Sequence, residues 1–149
     1  MADRSPPSTR VLQARRLLSA GAIGGHLVAL IVVPTLYVLR GEAAGLTALI
    51  AAIATLAFMG IGQLVQVAMA DAEPSALLLA SVASYVIRVL VPAGLLVAIS
   101  SDPARLAVLD RMALSISTIG VVLGWLIGEI RAFSQLRIPV FDEPTPPSN

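Results

Sequence analysis

Cysteine and lysine are both absent from the 149 residues, histidine and tryptophan occur once each, and only 13% of positions carry a formal charge. Without cysteine there can be no disulfide, no thiolate metal site and no thiol nucleophile. The single histidine, His26, excludes most tetrahedral metal centres. A net charge of +1 gives no reason to expect a nucleic-acid partner. No phosphate-cradling glycine loop, no H-E-x-x-H pair and no nucleophile elbow occurs. Ser115 and Ser117 have no base on a plausible face and read as helix-packing residues. Neither catalysis nor a cofactor is therefore expected. No internal repeat is evident, which argues against a transporter built from two inverted halves.

What the chain does have is apolar length. Hydrophobic residues make up 57% of it, too much for an ordinary soluble domain. Four apolar segments take most of the sequence: residues 17–39, 43–70, 75–99 and 112–128. The expected fold is all-α, a polytopic membrane protein of four transmembrane helices with short loops, set in the lipid bilayer. Residues 1–16 form a basic N-terminal tail, 17–130 the membrane domain and 131–149 the C-terminal tail. The stretch from Thr9 to Leu18 suits either a short surface helix or a solvated tail. The first apolar segment is too long for a signal-peptide core and is expected to stay as an anchor. Four spans put both tails on one side, with Arg4, Arg10, Arg15, Arg16, Arg131 and Arg137; Arg40, Arg105 and Arg111 fall on the other. That imbalance predicts cytoplasmic termini.

The third segment carries the least usual feature. Ser81, Ser84, Tyr85, Arg88 and Pro92 recur every three or four residues and share one helical face. Pro92 cannot donate to the carbonyl of Arg88. A guanidinium at that depth costs about 2.5–3.5 kcal/mol on insertion scales, so it should not face lipid. Either it is bonded to neighbouring hydroxyls, amides and carbonyls, or it meets a carboxylate, an ion path or a partner subunit. In the second segment Thr55, Met59, Gln63 and Gln66 share a face, and two glutamines in hydrocarbon need partners.

The turn Asp71-Ala72-Glu73-Pro74 makes the second and third helices antiparallel. Rise per residue puts Gln63 and Gln66 about 10–16 Å from that turn and Arg88 about 22 Å. The glutamines are thus expected to bond the lower part of the third helix's polar face. Arg88 falls near Met59 and Thr55, where no acid of this chain reaches, so its counter-charge is expected from outside.

The remaining features are structural in character. His26 reads as a polar residue bonded inside the bundle, and Pro34 as a kink near the end of the first helix. Residues 100–111 read as a short surface helix. In the fourth segment Gly120, Gly124 and Gly128, extended backward by Ser117, form a ridge of small residues. Such a ridge serves either an internal helix contact or a seam between copies in a homo-oligomer. Trp125 is expected in the interfacial aromatic belt.

The segment Phe58-Met59-Gly60-Ile61-Gly62, the exit from Trp125 to Arg131, and Arg137-Ile138-Pro139-Val140-Phe141-Asp142-Glu143-Pro144 together give a family likeness. The chain resembles the actinobacterial form of ATP synthase protein I. It differs from the two-helix members of that group, whose glycine-rich first helix carries an acidic residue. The resemblance implies a bacterial cell-membrane protein that helps assemble the ring of proteolipid c subunits, whose helices carry a buried carboxylate. On that expectation Arg88, Tyr85, Gln63 and Gln66 form a polar groove for the c subunit. The competing expectation is a small ion or metabolite conduit, handling magnesium, with Arg88 as a charge filter. Divalent cations prefer carboxylate ligands, and none lies inside an apolar segment here.

Overall fold

The computed structural model describes residues 8–101 and 108–136. Four helices follow in order: α1 (Thr9–Arg40), α2 (Glu42–Ala68), α3 (Pro74–Ser100) and α4 (Arg111–Ser134). Among the described residues there is no strand. Three helices, α1, α2 and α4, are long and apolar enough to cross a membrane. At about 1.5 Å per residue the shortest of them, α4 with 24 residues, still exceeds a hydrocarbon core of about 30 Å.

Two boundaries differ from the sequence expectation. The first helix begins at Thr9, so the basic stretch to Arg16 is the first two turns of the same helix. Ser8 makes this possible by capping it, its hydroxyl accepting from the N–H of Val11 at 3.2 Å. At the other extreme, α4 runs past the expected end at Gly128 to Ser134, so the exit from Glu129 continues as helix. α1 also continues through Pro34 to Arg40. Residues 102–107, within the expected surface helix, and residues 137–149, which hold the Arg137–Pro144 motif, lie outside the described residues.

A single residue, Gly41, turns the chain from α1 into α2. Its φ of 87° lies in the left-handed region that side chains disfavour. Its N–H closes α1 on the Tyr37 carbonyl at 3.0 Å, and its own carbonyl accepts the first α2 bond, from Gly45, at 3.1 Å. The tight corner forces α1 and α2 together. Small residues of α2, including Ala44, Ala48, Ala51, Ala52 and Thr55, recur at helical spacing and are all buried, which lets backbones approach closely in lipid.

α4 completes a three-helix core with α1 and α2. Ser117 is fully buried and donates to the carbonyl of Ala48 on α2 at 2.7 Å. The end of the bundle holding the Gly41 corner is fixed by Asp110. One oxygen of Asp110 caps α4 on Ala113 N–H at 2.9 Å, and the other takes Arg40 Nε at 3.0 Å. Its own N–H donates to Thr47 of α2 at 3.2 Å. The opposite end is fixed by Ser8 to Asp71 and by Arg16 to Gln135 at 3.2 Å. α4 is therefore antiparallel to α1.

Asp110 makes the Gly41 end sensitive to acid. The Ala113 N–H, and after it Arg40, hold its carboxyl below the ordinary value of 3.8. A lowered folded value means the contribution is fully present above 3.8 and disappears as pH falls through the folded value. Both side chains are partly exposed, so the effect is small. Unfolding midpoints followed from about pH 5 to about pH 2 should show an acid loss that Asp110→Asn makes shallower. Equal slopes for the two proteins would deny Asp110 that role.

α3 stands apart. It packs on α2 through a far thinner contact than those joining the other three helices. Ala80 and Ser84 are half-buried, whereas Leu78, Leu79, Val82, Val86 and Ile87 are exposed. Those exposed positions cover about half the helix circumference.

Candidate functional site

The residues singled out from sequence do not converge. Ser81 is exposed and Ser84 half-buried, and Tyr85 is 68% exposed on the outer surface of α3. Arg88 is on α3, with its side chain and that of Pro92 outside what the structure describes. Gln66 is exposed on α2.

Gln63 corrects the sequence expectation outright. It is half-buried and turned toward α4, where its Nε2 donates to Oε1 of Glu129. The same carboxylate oxygen accepts from Nε1 of Trp125 at 2.7 Å, one helical turn back on α4. Gln63 and Glu129 each lie five residues from the end of their helix, about 7–8 Å, at the same end of the bundle. Level was readable from the rise per residue. The partner was not, because it depends on which helix occupies that side of α2.

Trp125 supplies the second correction. It is 2% exposed, a core residue and no part of a surface belt. Gly21 and Gly25 of α1 open the slot that receives it; a Cβ on Gly21 would stand 2.6 Å from the indole nitrogen. The indole N–H cannot remain unpaired at that depth, and Glu129 is the acceptor within reach. The only sequence signal for this knot was the i, i+4 spacing of Trp125 and Glu129. Gln63 Oε1 is left buried without a hydrogen-bond partner, so the knot is an incompletely satisfied polar junction joining α2 and α4.

The small-residue ridge of α4 lies against α1. Gly120 faces Val28 and Val32, Gly124 faces Gly24 and Val28, and Gly128 faces Ala20 and Gly21. Ser117 departs from the ridge and points to α2 instead. His26 is exposed, with Nδ1 2.7 Å from the Ala22 carbonyl of its own helix, so it is not bonded inside the bundle. Among the described residues no three histidine, aspartate or glutamate side chains gather in one place.

Chemically, these features provide a closed bundle with one loosely held, outward-facing helix. Comparison with protein families, with curated proteins and with solved structures gives no match.

Proposed function

We propose that this is a four-span membrane protein that acts through helix contact with a partner, as an accessory in assembling or stabilising the c-ring of a rotary ATP synthase. The observation that carries the reading is the isolation of α3. The other three helices hold one another through extensive contacts, whereas α3 joins them only through a thin contact with α2 and leaves Tyr85 exposed to whatever lies beside it. A helix held this lightly by its own fold is suited to pairing with helices from other subunits.

Connectivity supports the fourth span. α2 ends at the Asp71 end of the bundle, and α4 starts at the Arg40 end. The segment between them has to return across the full height of α2, and α3 with 27 residues is about 40 Å long. The arginine imbalance then assigns the end holding Arg16 and Arg131 to the cytoplasm. The resemblance supplies the identity of the partner, whose buried carboxylate would match Arg88.

A photo-crosslinking residue in place of Tyr85, in cells that assemble the synthase, should capture the c subunit. The same residue in place of Leu30, exposed on α1, should not. Arg88→Leu should lower the yield of assembled ring while leaving the amount of this protein unchanged. Equal capture from both positions, or unchanged ring yield, would reject the proposal. Ion flux in proteoliposomes that is lost in Arg88→Ala would replace it with the conduit.

A further inference from the structure

Where α1 and α4 touch through their glycines, the outer side of the crossing is an open cleft of about 610 Å³. Its character changes along its length. Toward the middle of the bundle it is walled by Ile23, Leu27, Val28 and Ile127, and at the bundle end by Arg16, Arg131 and Gln135. Ile23, Leu27 and Ile127 are exposed, so hydrocarbon has direct access. Among the described residues neither Arg16 nor Arg131 has a carboxylate within ion-pair distance, and the ion pair that is present, Arg40–Asp110, is at the far end. Arg16 shares one nitrogen with Gln135. The rest of its guanidinium, and that of Arg131, are available to a ligand.

We infer that this cleft binds an anionic phospholipid, its phosphate between Arg16 and Arg131 and an acyl chain along Ile23, Leu27 and Ile127. Charge complementarity selects the occupant: two planar cations, contributed by two helices, suit a phosphate better than a neutral headgroup. The order of groups matches too, because a lipid places its anion at the membrane surface and its chain directly below. Basic pockets between transmembrane helices bind anionic headgroups in this way. A partner helix in the same cleft would have to bring carboxylates to that mouth. The inference is independent of the c-ring proposal, since it uses the opposite elements of the fold.

Native mass spectrometry of the full-length protein, loaded with phosphatidylglycerol or phosphatidylcholine of identical chains, tests it. Phosphatidylglycerol should be retained in preference. Arg16→Gln and Arg131→Gln should each reduce that preference about fivefold, whereas Arg10→Gln with Arg15→Gln, at the same end outside the cleft, should not. Leu27→Trp should fill the cleft and lower retention with both arginines intact. Soluble glycerol phosphate should fail to displace the lipid. Equal retention of the two lipids, an equal loss in the Arg10/Arg15 variant, full displacement by glycerol phosphate, or a second protein chain crosslinked through Ile127 would each overturn the assignment. Circular dichroism of each variant checks that helix content is unchanged.

Discussion

Gly128→Leu should separate α4 from α1. A Cβ at Gly128 would stand 2.2 Å from the carbonyl oxygen of Ala20 and 2.9 Å from its carbon. Both are backbone atoms, so no rotamer change can clear them. One helix must move away, and the neighbouring contact fails with it: a Cβ on Gly24 would meet the Gly124 oxygen at the same 2.2 Å. Overpacking usually costs about 1–3 kcal/mol, and an obstacle that cannot turn aside puts this case near or above about 3 kcal/mol. Gly60 provides the comparison. The nearest atom to a Cβ there is the far edge of Trp125 at 3.9 Å, and alanine also favours helix over glycine. Reversible unfolding in mixed micelles should show a large loss for Gly128→Leu and none for Gly60→Ala. Similar stability for the two variants would mean that the helices are not held by this close approach.

That contrast shows what a sequence can and cannot disclose about such a bundle. Glycines four apart mark a face for close approach because the helix repeat fixes their alignment, but they do not name the helix that fills it. Gln63 illustrates the same limit. Its height follows from 1.5 Å per residue, and its partner does not, because α3 follows α2 in sequence while α4 packs against α2 more extensively. Trp125 departs from its expected place for a related reason. Tryptophan near a span end usually sits at the interface, and the slot that buries it is made by Gly21 and Gly25, about a hundred residues earlier. The cleft with Arg16 and Arg131 was hidden by distance along the chain as well, since each arginine alone looks like an ordinary interfacial charge. The Arg88 groove combines one helix with an assumed neighbour. Its members on α2 diverge, Gln63 inward and Gln66 outward, which leaves α3 itself as the candidate surface.

Trp125→Ala is the second large effect, and its size depends on the solvent. In water, removing a buried tryptophan costs about 3–5 kcal/mol, part of it the lost transfer of apolar surface. In a bilayer that part nearly vanishes, because lipid chains are as apolar as the protein interior. The cavity remains, because the indole fills the space over Gly21 and Gly25 and its contacts there are lost. The hydrogen bond to Glu129 at 2.7 Å is lost as well, leaving the carboxylate with Gln63 alone. Together these give an expected loss of about 2–3 kcal/mol. Trp125→Phe separates the two parts, since it keeps most of the ring and removes the N–H; it should cost about 1–2 kcal/mol. If phenylalanine proves as damaging as alanine, the knot of Glu129, Gln63 and Trp125 governs the α2–α4 junction and packing is secondary. If phenylalanine is neutral, the slot on α1 is what matters, and Glu129 merely satisfies a buried donor.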